Sequence, residues 1–332
     1  MISRRNLISS MATTASLSSL GMSPLLLAQE SGTKLILLGT QGGPNYNLER
    51  GETATLLMVD GVPYLIDCGY GTFRSLKDIG VNFLTIPEIF LTHLHDDHVS
   101  DVATILSHQW TQGRIDQTTV HGPFGTDVLV NGAMDFSKGN GDIRLIDEGR
   151  SIRADSLFRA NVVPATFDPF TVFEDERIKV SSVENTHFPL WAKAQMQYRS
   201  LSYRFDTAEH SIVFSGDTTY SENLVNLAKD ADVLVVEVIE PVILRQWFDE
   251  VVANGGYQDN PENIWTHIVE THLTTEDAGR MANEANVENL VLNHLLPGAL
   301  MDVDDSLYIE GIRTHYNDRV IVGTDLMEIT VN

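Results

Sequence analysis

The sequence predicts an α/β fold, mixed in the α+β sense, and three observations carry that expectation. Apolar runs of strand length alternate with helix-compatible stretches along the body of the chain. Turns rich in Gly, Asp and Asn separate them. The alternation falls into two similar halves without a short tandem period, which excludes a solenoid. With 332 residues, 42% of them hydrophobic, the chain can bury a single large core, and one compact domain is expected.

Lys34 to Leu38 reads as the first strand and ends in the turn Gly39-Thr40-Gln41-Gly42-Gly43-Pro44. Ala54 to Val59 and Pro63 to Asp67 follow as strands, joined across Asp60-Gly61, a strong hairpin signal. A helix is expected over Phe73 to Ile79, a strand over Glu88 to Thr92 and a helix over Val99 to His108. Thr118 to Val120, Arg144 to Ile146 and Ile178 to Val183 read as strands, and Leu201 to Phe205 with Ser211 to Ser215 as a hairpin. Leu224 to Lys229 is a predicted helix, and Val233 to Val238, apolar except for Glu237, a predicted strand. Thr274 is placed to cap a helix running through Ala285, with Asp277 at the capping-box distance. A strand at Leu290 to Asn293, a helix from Asp305 to Tyr316 and strands at Val320 to Val322 and Met327 to Val331 complete the chain.

The formal net charge is -24, from 46 acidic and 22 basic side chains, with no Lys/Arg cluster in the body of the chain. Binding nucleic acid ordinarily needs a basic footprint, so the expectation is a small-molecule ester substrate and no nucleic acid. Cys68, the only cysteine, ends an apolar strand and reads as a buried, inert thiol. At the N-terminus, Arg4-Arg5 precede a modestly apolar, Ser/Thr/Ala-rich stretch from Ile8 to Ala28. Residues 1–28 therefore resemble a twin-arginine signal peptide, implying the export machinery as a partner and a periplasmic or secreted location. That stretch is too polar for a stable membrane span. The oligomeric state stays open, a homodimer being among the options.

The run His93-Leu94-His95-Asp96-Asp97-His98 carries the chemistry. His93 and His95, two apart at a strand's end, project to one side. Asp97 and His98, on the turn into the next helix, can face a second metal. Four ligands in six residues suit a binuclear hydrolytic centre better than a closed structural site. Packing does not account for so much buried charge and imidazole.

The hexapeptide matches the HxHxDH signature of the metallo-β-lactamase superfamily, and the resemblance extends over nearly all of the chain after residue 33, so that 33–332 is expected to be one hydrolase domain. It implies a four-layer αβ/βα sandwich of two mixed sheets with metals along one edge. It also implies two Zn2+ ions, with Mn2+ or Fe as alternatives. His93, His95 and His187 would hold the first metal, and Asp97, His98 and His294 the second, with Asp217 of Ser215-Gly216-Asp217-Thr218 bridging them.

Gly39 to Pro44, Tyr203-Arg204-Phe205 and Ser215 to Thr218 further resemble the branch of tRNA 3′-processing endonucleases and zinc-dependent arylsulfatases. In that branch a histidine and a glutamate protonate the leaving group; His272 and Glu237 match them, and Asp97 joins them as a catalytic carboxylate as well as a ligand. Only 30 positions separate His187 from Asp217, too few for a long tRNA-gripping arm, and Val236 stands where a histidine usually precedes the glutamate. The expectation is therefore an exported, arylsulfatase-like enzyme cleaving sulfate esters. A phosphodiesterase or phosphonate-ester hydrolase is the alternative, ahead of a lactonase, a β-lactamase or a non-catalytic metal-binding module.

Two side readings complete the set. Residues 238–270, with Trp247, Phe248, Tyr257 and Trp265, read as a lid insertion or the packing of an extra helix. Trp110 and Arg114 are expected near the pocket mouth, with Arg114 either pairing with an anionic oxygen or simply lying on the surface.

Overall fold

The computed structural model describes residues 32–45 and 47–331, so the predicted signal peptide lies outside the described residues. Two seven-stranded mixed sheets are stacked face to face, with helices on both outer faces, as the sequence predicts. The first sheet contains β1 (Thr33–Gly39), β2 (Ala54–Val59), β3 (Val62–Ile66), β4 (Glu88–Phe90), β5 (Thr118–Gly122) and β6 (Phe158–Val162). The second contains β7 (Phe170–Glu174), β8 (Lys179–Glu184), β9 (Leu201–Asp206), β10 (Ser211–Phe214), β11 (Val233–Ile239), β12 (Asn289–Leu296) and β13 (Arg319–Val322). The last strand, β14 (Glu328–Thr330), returns to pair with β1 in the first sheet. Strands β3 to β6 run parallel to one another, as do β10 to β13.

Alternation along each strand builds the layers. In β1, Leu35 and Leu37 enter the core between the sheets, while Ile36 and Leu38 enter the layer under the outer helices. In β11, Val233 and Val235 face the inter-sheet core, whereas Leu234, Val236 and Val238 face the helices beyond the second sheet. Both faces of these strands are covered, which is why they read as continuous apolar runs. Each fully buried Val or Leu contributes roughly 1.5–3 kcal/mol relative to an exposed one.

The first sheet's outer layer holds α1 (Thr72–Asp78), the short α2 (Asp96–Val99), α3 (Val102–Thr111) and α4 (Thr126–Asp147). A short α5 (Leu190–Lys193) follows β8. The second sheet carries α6 (Glu222–Leu227), α9 (Thr275–Ala285) and α10 (Ser306–Ile312), with α7 (Pro241–Ala253) and α8 (Pro261–Thr271) inserted after β11. Thr274 does cap α9, its side chain accepting from Asp277 N.

Three expectations change. The strand predicted at Arg144 to Ile146 is the last turn of α4, a 22-residue helix. Gly132, Gly139 and Gly141 obscured the pattern, yet Val130, Ala133, Ser137 and Gly141, spaced three and four apart, form its buried face. Trp110 does not stand at a pocket mouth: it is buried in the first sheet's outer core and its indole N–H donates to Ile152 O. Arg114 is buried too, its guanidinium donating to the carbonyls of Leu84, Asp116 and Gln117, and it clamps the loop before β5. No described helix is long and apolar enough to cross a membrane.

Candidate metal centre

Every candidate metal ligand except His294 lies beyond the C-terminal end of a strand, on one edge of the sandwich. The chain leaves β4 through Thr92, whose N–H and hydroxyl both donate to Asp67, and delivers a fully buried His93. His95 is the N-cap of α2, which places Asp97 and His98 in its first turn. His187 follows β8 and Asp217 follows β10. At Gly216, with φ of 60°, a Cβ would come within 2.8 Å of Thr92 Cβ, so only glycine lets the chain turn there. His294 lies inside β12 at a bulge: Glu237 pairs with Asn293 and Val238 with Leu295, leaving His294 as the extra residue. Its φ of 43° is backbone strain of the kind found at functional sites, and the bulge aims its ring at the edge.

These residues meet. Donor atoms of His93, His95, His187 and Asp217 all lie within 4.8 Å of one another, as do those of Asp97, His98, Asp217 and His294. His93 Nε2 is 3.0 Å from His95 Nδ1, and His187 Nε2 is 3.3 Å from the same atom. His98 Nε2 is 3.2 Å from Asp217 Oδ1, and His294 Nε2 is 3.3 Å from both Asp97 Oδ2 and Asp217 Oδ2. Burial pushes the His93 and His187 imidazoles well below their ordinary range, leaving them neutral. Burial acts the same way on His98 and His294, but the surrounding carboxylates outweigh it, Asp217 foremost. His98 rises well above its usual value and His294 to about 9.

The donor set fits divalent metal ions. His98 Nε2 and Asp217 Oδ1, 3.2 Å apart, are buried without a well-aligned hydrogen bond, and ring nitrogens of His93, His95 and His187 converge to within 3.0 and 3.3 Å. Left so, each orphaned group costs about 1–3 kcal/mol, whereas a cation between them satisfies all at once. A surrounding shell orients the rings. His98 Nδ1 lies 2.9 Å from Asp67 Oδ2, and His187 Nδ1 lies 2.9 Å from the Thr271 carbonyl at the end of α8. Sequence reasoning missed both supports. Asp67 left a trace, an acid closing an apolar strand beside Cys68, and its φ of 54° marks the turn. The Cys68 thiol itself is buried and pushed well above its ordinary range by that burial.

The turn from Gly39 to Pro44 has a steric meaning. A Cβ on Gly42 would lie 2.6 Å from Leu296 Cγ and 2.9 Å from His294 Nδ1, and one on Gly43 would overlap the Asp97 side chain. Gly43 N–H also donates to Asp97 Oδ2 at 3.0 Å. The glycines are the space that the second cluster occupies.

Glu237 and His272 also come together. His272 Nδ1 is 2.7 Å from Glu237 Oε2, and the other carboxylate oxygen accepts from Thr218 N at 2.6 Å. Burial raises the Glu237 carboxyl. On His272, burial is outweighed by Glu237 and then Asp217, and its pKa rises. His272 Nδ1 lies 3.7 Å from Asp217 Oδ2, so the pair abuts these two clusters, and with Asp217 and His294 its donor atoms form a third group within 4.8 Å of one another.

A protein named Ribonuclease Z from Mycobacterium bovis (strain BCG / Pasteur 1173P2) is 24% identical over 302 residues, covering 90% of this chain and 98% of that protein. The crystal structure of human tRNase Z, short form, superposes with a TM-score of 0.59 at 20% identity, covering 90% of this chain and 99% of that one. The metallo-β-lactamase fold protein YhfI from Bacillus subtilis gives a TM-score of 0.60 at 16% identity, with 90% and 98% covered. Two expectations are thereby corrected. Sulfate-ester cleavage finds no support among relatives named for ribonuclease activity, and the phosphodiester alternative fits them better. The exclusion of nucleic acid fails for the same reason, because whole-chain acidity says little about the local field at a cationic metal site. Residues 64–295, well over half of the chain, match the family described as Beta-lactamase superfamily domain, so the chain belongs to that superfamily and is a metal-dependent hydrolase acting on ester bonds.

Proposed function

We propose that the chain is a two-metal phosphodiesterase in which His272 protonates the departing alkoxide. The observation that carries this reading is the buried His272–Glu237 contact of 2.7 Å beside the two donor clusters. An alkoxide is a poor leaving group, so a phosphodiester gains most from a positioned acid of this kind. The relatives named Ribonuclease Z, whose bonds are phosphodiesters, support the same choice.

In this reading His93, His95 and His187 hold one metal, Asp97, His98 and His294 the other, and Asp217 both. Zinc is the expected metal; bound there, the pair activates a water and neutralises charge on the phosphoryl oxygens. Glu237 engages His272 Nδ1, which leaves Nε2 to present a proton to the leaving oxygen. The Thr218 N–H holds the other Glu237 oxygen, so the carboxylate cannot swing away. Asp67 and the Thr271 carbonyl keep His98 and His187 in the tautomers that turn Nε2 to a cation. Gly43 N–H holds Asp97 in place. We also propose that residues 1–28 direct export, on the strength of Arg4-Arg5 and the apolar stretch behind them.

The test is metal content followed by turnover of bis-p-nitrophenyl phosphate and of a 3′-extended precursor tRNA. Two metals per chain with cleavage of either substrate is the expected result. Metal-replete protein that cleaves neither would overturn the reading.

A further inference from the structure

We infer that the α7–α8 hairpin forms a subsite for a flat aromatic ring attached to the substrate's phosphoryl group. This deepens the phosphodiesterase reading and rests on it.

The hairpin closes one side of the metal edge and leaves a cavity of about 290 Å3 between itself and the clusters. One wall is apolar and aromatic: Leu244, Trp247, Tyr257, Ile264, Ile268 and, from β12, Leu296. The floor holds His95, Asp97, Asp217 and His272. Metal binding has no use for such a wall, and although Trp247 and Ile268 rest against Leu244 and Leu296, they are not at the centre of the hairpin. Its core is already made by Phe248, which is buried and stacked on Tyr257 at 5.3 Å, and by Trp265, 5.4 Å from Phe248. Trp247, only half buried, lines the cavity.

The wall is held firmly. Leu244 and Leu296 pack with Ile239 at its base, and the Tyr257 hydroxyl donates to Asn45 Oδ1 at 2.7 Å, tying the hairpin's tip to the glycine turn. At its other end α8 runs directly into the Thr271 carbonyl that holds His187 and into His272 itself. The subsite and the reacting centre therefore share one rigid element.

His267 is exposed, and its ring centroid is 5.9 Å from His95, 5.8 Å from His187 and 5.9 Å from His272. It belongs to none of the donor clusters. The Thr271 hydroxyl donates to the His267 carbonyl at 2.7 Å and so can only accept from His267 Nδ1–H at 3.3 Å, which leaves the Nε2 lone pair as an acceptor with no proton for a phosphoryl oxygen.

Size and charge name the occupant. The cavity sits at the small end of ligand pockets, which span roughly 300–1,000 Å3, and has room for a single ring system beside its phosphate. No Lys or Arg is among its described lining residues, so beyond the metals and histidines the substrate is held by apolar and stacking contact. Stacking a ring on an aromatic side chain changes affinity by roughly 10-fold to 100-fold. A nucleobase and an aryl alcohol share this chemistry.

The experiment is calorimetric titration of the metal-loaded full chain with phenyl phosphate, adenosine 5′-monophosphate and methyl phosphate. Both ring-bearing monoesters, or one of them, should bind at least about 10-fold tighter than methyl phosphate. Trp247→Ala should remove most of that preference and leave methyl phosphate within about twofold. Trp247→Leu, which keeps apolar volume in the wall, should remove it in the same way, and circular dichroism shows that both variants fold. Tighter binding of adenosine monophosphate names a nucleobase as the ring, and the reverse order an aryl group; either supports the subsite. Equal affinity for the three monoesters, or Trp247 variants that weaken all three alike, overturns it. Because binding is read without turnover, this result stands apart from the cleavage test of the phosphodiesterase reading.

Discussion

Gly43→Ala tests whether the glycine turn exists to make room for the second donor cluster. Ordinary contact begins near 3.4 Å, and the added methyl would overlap Cβ, Cγ and Oδ2 of Asp97 at once. Gly43 in the glycine turn and Asp97 in α2 are joined by the Gly43 N–H bond to Asp97 Oδ2, so relief means moving one away and breaking that bond. The required shift is about 1 Å, a misplacement on the order that costs 10²-fold in rate when it falls on a reacting group. Asp97 is also the residue that His294 Nε2 approaches at 3.3 Å, so the same shift loosens the second donor cluster. The expected outcome is a folded protein with fewer than two metals per chain at stoichiometric loading and kcat reduced by about 10²-fold. Plasma mass spectrometry and steady-state turnover of bis-p-nitrophenyl phosphate read these two quantities. Gly139→Ala, in α4 with nothing within 4 Å of the new methyl, is the control and should leave both unchanged. A Gly43→Ala protein with two metals and wild-type kcat would refute the reasoning.

Further outcomes follow from the same geometry. His272→Ala should slow phosphodiesters with alkyl leaving groups by about 10²–10⁴-fold and nitrophenyl esters by much less; equal slowing would contradict proton donation. Glu237→Gln removes the charge that raises the His272 pKa, so His272 loses its proton at lower pH and the alkaline limb of the pH–rate profile should move down; an unmoved limb would separate Glu237 from that limb. In the metal-free protein the carboxylates keep protons on His98 and His294, the latter up to about 9, and metal must displace them. Metal affinity should therefore rise with pH toward that value, with proton release visible by calorimetry in buffers of different ionisation heat. Asp67→Ala frees the His98 ring and should weaken metal binding by about 10-fold to 100-fold, measured by competition with a chromogenic chelator. Replacing Arg4 and Arg5 by Lys should retain the protein inside the cell if residues 1–28 direct export, which fractionation reads directly.

Much of the fold was legible because its strands are covered on both faces: Leu35 to Leu38 of β1, Val233 to Val236 of β11 and Leu290 to Leu292 of β12 read as unbroken apolar runs. Helix α4 was not legible, since three glycines interrupt it and its buried face is built of small residues. The insertion after Glu237 was visible as an aromatic-rich excess of chain, but not as two helices. Arg114 and Trp110 looked like surface or pocket residues by type, whereas both are consumed by backbone carbonyls. The substrate was misread because net charge sums the whole molecule, while a metal site sets its own field over a few ångströms.

What the sequence determined by itself was residue type at short range: three imidazoles and two carboxylates in six positions, a strand running into them, and further acids and histidines at strand ends in order. What only the tertiary structure decided was which of these touch. Asp67 meets His98 across 31 residues, Glu237 meets His272 across 35, and His187 meets the Thr271 carbonyl across 84. The bulge that turns His294 toward Asp97 is likewise a matter of strand register, and His267 stands over the centre only because α8 is packed there. Local chemistry is written in the order of residues; these contacts depend on strand pairing and close packing, which place a side chain to within an ångström only when the whole core has formed.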